Sequence, residues 1–280
     1  MTQIDNIKNR VSCRTYENRP IDQDLYNKIK SNISEPYKNP PFGTNAIFQI
    51  IHTPDFKGKH QIGTYGFING AEYYIVGKIK QGKYDLEDFG YQMEKIILYA
   101  TSLGLGTCWL GATFTRSAFG NIINLTDDEI SPAISPIGYK AKKMGLLDRS
   151  LRKIAGSNNR KPFTELFFEN SITTPIAQET SVYSIPLELV RLAPSASNKQ
   201  PWRIIKEQDK NIFHFYLCRT GGYEKTTRLL NACDLQRVDM GIAMSHFESG
   251  AIELGLKGVW ETTANPKTFE AMEYLVTWQG

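Results

Sequence analysis

Two arginines and a serine alternate in Arg10-Val11-Ser12-Cys13-Arg14. Planar guanidiniums present paired donors to phosphate oxygens, so this run can surround a phosphate. In isolation such a run is usually just a solvated basic segment. Asn159-Arg160-Lys161-Pro162-Phe163 offers a second clamp on the same kind of anion, or an exposed basic loop. Ala193-Pro194-Ser195-Ala196-Ser197-Asn198-Lys199-Gln200-Pro201-Trp202 is a dense run of turn formers bracketed by prolines. Its rigid backbone and side-chain donors suit a loop that faces a ligand, with an ordinary loop as the alternative. Gly104-Leu105-Gly106-Thr107-Cys108-Trp109-Leu110-Gly111-Ala112 suggests a dinucleotide loop. That reading fails, because the glycines follow a helical pattern and the strand-loop-helix order is missing. The bare backbone at Gly111 would still let a flat ring approach closely.

Other chemistries are poorly supplied. Cys13, Cys108, Cys218 and Cys233 form no CxxC pair, and His52, His60, His214 and His246 stand at no metal-ligand spacing from them, so no metal site is expected. The thiols suit a reducing compartment, and the polar N-terminal run has no signal-peptide core, which points to the cytoplasm. Basic residues number 33 and acidic ones 29, for a net charge of +4, without a basic stripe. No nucleic-acid partner is expected. The apolar stretches are too short to span a bilayer, so no membrane partner is expected either.

The elements that must hold these clusters are set by an internal repeat. Asp88–Leu110 and Asp239–Glu261 align without a gap at an offset of 151, with eight identities in 23 positions: Asp88/Asp239, Gly90/Gly241, Met93/Met244, Ala100/Ala251, Leu103/Leu254, Gly104/Gly255, Leu105/Leu256 and Trp109/Trp260. That period is too long for a solenoid, so a whole domain has been duplicated. In each copy the apolar residues follow helical spacing: Met93, Ile96, Ile97, Ala100 and Leu103 in the first, Met244, Phe247, Ala251 and Leu254 in the second. Gly104 and Gly255 stand where those helices should end. Strands are expected near 71–76, 133–139, 212–217 and 274–278. Each half then reads helix, helix, strand, long helix, strand. Residues 1–167 form the first repeat, 184–280 the second, and the polar stretch 168–183 the connection.

Taken together, R-x-S-x-R, A-P-S-x-x-N-x-Q-P-W, G-L-G-T-C-W-L-G and R-K-P-F resemble the FMN-dependent nitroreductase family, in the subgroup that fuses two nitroreductase-like halves. The resemblance implies an α+β nitroreductase-like fold, with two antiparallel-type sheets, helices between them, and two tandem repeats forming an intramolecular pseudo-dimer. Ordinary members are homodimers with FMN at the interface, the phosphate motif and the Pro-Ser-Asn turn coming from different subunits. Here the first half keeps the arginine motif and has Ser34–Gly43 in place of the turn. The second half keeps the turn, lacks the arginine motif, and has Trp260-Glu261-Thr262 where the first has Trp-Leu-Gly. One complete site is therefore implied, and the other would present Glu35, Tyr37, Lys38 and Glu261.

By the same resemblance, Arg10, Ser12, Arg14 and Arg160 would hold the FMN phosphate. Pro194, Ser195, Ala196 and Asn198 would approach the flavin ring, with Leu110, Gly111 and Ala112 on its other side and a backbone N–H near N5. That bond would favour reduced flavin and orient the ring. The implied activity is ping-pong hydride transfer from NAD(P)H to a nitroaromatic, quinone or similar small-molecule acceptor, by a monomer with an internal pseudo-dimer interface. No catalytic side chain is implied. A flavin-binding protein without turnover and a flavin-free pseudo-enzyme are the alternatives.

Overall fold

A computed structural model describes residues 2–34, 40–56, 63–142, 159–176, 181–223 and 232–280. The chain runs first through α1 (Gln3–Asn9), α2 (Gln23–Ser34), β1 (Ile47–His52), β2 (Tyr73–Lys80), α3 (Asp85–Ser102), β3 (Gly106–Thr107), α4 (Arg116–Ile122), β4 (Glu129–Ile130) and β5 (Ile134–Gly138). It continues through β6 (Phe167–Glu169), α5 (Ser184–Leu192), β7 (Trp202–Lys206), β8 (Ile212–Cys218), α6 (Leu235–Glu253), β9 (Val259–Glu261) and β10 (Met272–Gln279). The first sheet has the order β1-β2-β5-β3, with β4 also on β2; the second has β6-β7-β8-β10-β9. The repeat is thus visible in topology, since β7-β8-β10-β9 retraces β1-β2-β5-β3 around its own long helix.

The expected α+β fold of two tandem repeats is the fold observed. Layers form because each sheet has apolar surface to cover, and the face of the first sheet turned from α3 packs Tyr74, Val76 and Ile134 on Phe114 and Phe119. Phe48, Ile75, Ile79 and Ile137 of the first sheet pack on Phe89, Met93, Ile96 and Ile97 of α3. Trp202, Ile204, Phe213 and Phe215 of the second pack on Val238, Met244 and Phe247 of α6. α3 and α6 then lie against each other, so both are buried nearly all round. The expected stripes are fully buried at Met93, Ile96, Ile97, Ala100, Met244, Phe247 and Ala251. Leu254 departs from its stripe: it is 40% exposed, because α6 leaves the core at its last turn.

Both long helices end alike. Gly104 and Gly255 take φ of +78° and +72°. Leu105 N–H then reaches back to Ala100 O and Leu256 N–H to Ala251 O, at 3.0 and 2.9 Å. Glycine adopts this left-handed turn without steric cost.

Several elements differ from expectation. β1 and β7 were not anticipated. β6 begins where the connection was expected: Phe168 and Glu169 pair in parallel with Ile205 and Lys206 of β7. Before β7 the second run has a single α-helix, α5, among the described residues.

Where α3 crosses α6 the contact is reciprocal. A Cβ on Gly90 would lie 2.1 Å from Val238 O, and one on Gly241 would lie 1.9 Å from Glu87 O. Val238 and Glu87 are themselves counterparts at the 151-residue offset. Neither carbonyl can swing aside without breaking its helix. Gly241→Ala should therefore lower stability by about 2 kcal/mol, although alanine favours an isolated helix by about 1 kcal/mol. Gly82→Ala, where the added carbon meets nothing within 4 Å, should change stability by less than about 0.5 kcal/mol. Urea unfolding measures both, and equal midpoints for Gly241→Ala and the parent would show that the crossing tolerates a side chain.

Candidate functional site

α1 ends beside both long helices. A capping box starts it, with Thr2 Oγ1 accepting from Asp5 N–H and Asp5 accepting from Thr2 N–H. Its Ile7 is buried against Leu98 of α3 and Leu189 of α5. Beyond Arg10 the chain is extended, and Ser12 and Cys13 run along Thr107. Alternation then turns Cys13 into the core, while Arg10, Ser12 and Arg14 line a cavity between the halves. Its volume is about 530 Å³, within the usual span for small-ligand sites. Arg160, the turn from Pro194 to Asn198, and Leu235, Val238, Asp239 and Ile242 of α6 complete much of the wall.

Of the eleven residues singled out from the sequence, ten line this cavity. Leu110 does not, and its expected place is corrected: it is buried beneath, and its N–H donates to Ile134 O at 2.9 Å. Gly111 lines the cavity, but its bare Cα makes room for Leu235, whose methyl carbons lie 2.5 Å from where a Cβ would stand.

The arginines set the electrostatics. The Arg10 side chain is 6% exposed. Its Nε stands 3.8 Å from Glu94 Oε1, beyond hydrogen-bond reach, and its Nε and Nη1 have no acceptor. Arg160 donates to Asn198 Oδ1 at 2.6 Å and to Leu192 O at 3.1 Å. Burial, then the charges of Arg10 and Arg191, lowers the Arg160 pKa to about 10. Two guanidiniums, one buried and one half-buried, that repel each other across a cavity favour an anion between them.

The turn is held from behind. Ala196 N–H donates to both carboxylate oxygens of Asp239, at 2.9 and 3.1 Å. Burial raises the Asp239 pKa well above the usual carboxylate range. Asp88, its counterpart, accepts from Phe42 and Thr44 N–H at 2.9 and 2.7 Å, and burial pushes it up to about 6. Ser195 Oγ accepts Gln200 N–H, and Gln200 Oε1 accepts Lys161 N–H, so these two residues build the turn itself. Ser197, Asn198 and Gln200 all take positive φ near 50°, a strain that persists only where its surroundings enforce it.

On the other side of the pseudo-dyad the counterpart residues are engaged within the protein. Cavity residues Leu235, Val238 and Ile242 correspond to Tyr84, Glu87 and Tyr91. Tyr84 stacks on Phe42 at 4.2 Å. Glu87 is taken by Arg237 at 2.6 Å. Tyr91 donates its hydroxyl proton to Glu248. Glu35, Tyr37 and Lys38 lie outside the described residues.

Sequence reasoning missed one polar group behind Arg10. Glu94 of α3 is fully buried and accepts from His246 Nε2 at 2.9 Å and Trp109 Nε1 at 2.7 Å. His246 Nδ1 faces Leu189 O at 2.9 Å. Glu94→Ala would leave His246 and Trp109 buried without this hydrogen-bond partner and Arg10 without its nearby carboxylate. The expected loss is about 3–5 kcal/mol in urea unfolding, and a loss under about 1 kcal/mol would mean the group is not held as a unit.

A family model described as "Putative TM nitroreductase" matches residues 3–251. A crystal structure of a "putative nitroreductase" from Thermotoga maritima is 20% identical, covers 99% of this chain and 93% of its own, and superposes with a TM-score of 0.61. A nitroreductase with bound FMN from Bacteroides fragilis is 19% identical over 51% of this chain and 91% of its own, with a TM-score of 0.41. No curated protein matches the sequence. With the family model spanning nearly the whole chain, this protein belongs to the "TM nitroreductase" family.

Proposed function

We propose that this chain is an FMN-dependent oxidoreductase, and that its single cofactor site is the cavity between the halves. The observation that carries the reading is the concentration of positive charge there: buried Arg10, whose Nε and Nη1 lack hydrogen-bond acceptors although Glu94 stands 3.8 Å away, beside Arg160, whose pKa burial and Arg10 depress. A phosphate monoester fits such a donor set, since guanidinium–phosphate bonds are charge-assisted and often paired.

Arg10, Ser12, Arg14 and Arg160 would hold the FMN phosphate. Gly111 and Ala112 from one half, and Pro194, Ser195, Ala196 and Asn198 from the other, would face the ring. The chemistry supplied by bound FMN is ping-pong hydride transfer from NAD(P)H to a nitroaromatic, quinone or similar small acceptor. The chain's part is to neutralise, orient and exclude. Leu235, Val238, Ile242 and Trp109 give the cavity apolar walls that keep water away from a flat ring. Asp239 fixes the turn by its bonds to Ala196 N–H.

The internal pseudo-dimer interface makes a working monomer the natural state. The four thiols are free, which suits the cytoplasm. Among the described residues no helix is long and apolar enough to cross a membrane.

Replacing Arg10 and Arg14 together by alanine tests the reading. Each charge-assisted bond contributes roughly 1.5–3 kcal/mol, so FMN affinity should fall at least about 100-fold. Riboflavin, which has no phosphate, should lose far less. Fluorescence titration measures both, and an equal loss would mean that the arginines support the fold instead.

A further inference from the structure

Arg116, the first residue of α4, does not line the cavity but reaches the peptide that does. Its Nη2 donates to Gly111 O at 2.7 Å. Its Nη1 donates to Ser131 O and points also at Pro132 O, 3.5 Å away. The guanidinium lies 4.7 Å from the Phe114 ring centre, which fixes its plane. Burial lowers its pKa, and among the described residues no carboxylate pairs with it. Its Nη1 also points at Cys233 Sγ, 3.9 Å away, and a buried cation spent on carbonyls and a thiol has a large desolvation cost to offset. A planar fork spanning two separate segments is what distinguishes this choice from lysine.

The consequence falls on the next amide. The chain has no cis peptide among its described residues, and a planar trans peptide points its N–H opposite to its C=O. With Gly111 O held toward Arg116, the Ala112 N–H is directed away from Arg116. Ala112 lines the cavity, and its N–H has no acceptor among the described residues.

We propose that Arg116 is a positioning residue, which fixes the Gly111–Ala112 peptide so that the Ala112 N–H donates into the cavity to N5 of a bound flavin. This rests on the FMN reading above. Arg116 acts only through the peptide and touches neither cofactor nor substrate.

The test compares equilibrium binding of FMN and 5-deaza-FMN, in which a C–H replaces the N5 acceptor. Wild-type protein should prefer FMN by about fivefold, the value of one neutral hydrogen bond. Arg116→Met should abolish that preference by weakening FMN and leaving 5-deaza-FMN unchanged. Arg116→Lys should keep part of it. Ala112→Pro removes the N–H and puts a ring carbon in its place, so it should abolish the preference whatever it does to overall affinity, and adding Arg116→Met should change that preference no further.

A preference retained in Arg116→Met would overturn the proposal. Equal weakening of both flavins would do so too, by showing a merely structural arginine. Absence of any preference in the wild type would show that the N–H does not meet N5. Should Arg116→Met fail to fold, Arg116→Lys decides, and an undiminished preference there would overturn the assignment. Wild-type protein that binds neither flavin would refute the FMN reading itself, and this inference with it.

Discussion

Two glycines let the backbones of α3 and α6 touch, and the rest of the molecule is arranged around that contact. Gly90 faces Val238 O and Gly241 faces Glu87 O, too close for any Cβ. Because the pairs exchange under the 151-residue offset, the contact is a local two-fold axis inside one chain. It fixes how far apart the two sheets stand, since each packs on its own long helix. The cavity inherits this geometry: the start of α6 forms one wall, and the chain leaving α1 forms another.

Duplication supplies two equivalent positions, and divergence has made them unlike. On one side Leu235, Val238 and Ile242 leave a cavity of about 530 Å³ beside buried Arg10 and half-buried Arg160. On the other, Tyr84, Glu87 and Tyr91 add bulk and charge, and each finds a partner within the protein. What is conserved between the halves is scaffold. Asp88 and Asp239 both hold backbone amides of the segment that precedes a strand. Trp109 and Trp260 both donate to a glutamate of their own long helix, Glu94 and Glu248. Residues that differ, such as Glu94 against Ser245 and Lys95 against His246, carry the asymmetric work.

Much of this was legible in the sequence, for definite reasons. Identity at a fixed offset exposed the glycines of the crossing, where a Cβ has no room, and of the helix ends, where φ is positive. The arginine run and the Pro-Ser-Asn turn were visible because they are local. Less local features were hidden. β1 is a short apolar run without clean alternation, and β7 read as the tail of the turn before it. β6 has only three residues and is defined by its partner. Glu94 and His246 meet across 152 residues and differ from their repeat counterparts, so neither spacing nor repetition marked them. Leu110 was misplaced because backbone pairing with Ile134, invisible in the sequence, draws it into the core.

The central claim is that one chain assembles one site from complementary halves. Sedimentation of the protein with excess FMN, followed at both protein and flavin absorbance, tests it directly. The account predicts one FMN on a particle with the chain's own mass of 31.8 kDa. Two FMN per chain, or a particle of twice that mass carrying its flavin between chains, would contradict it.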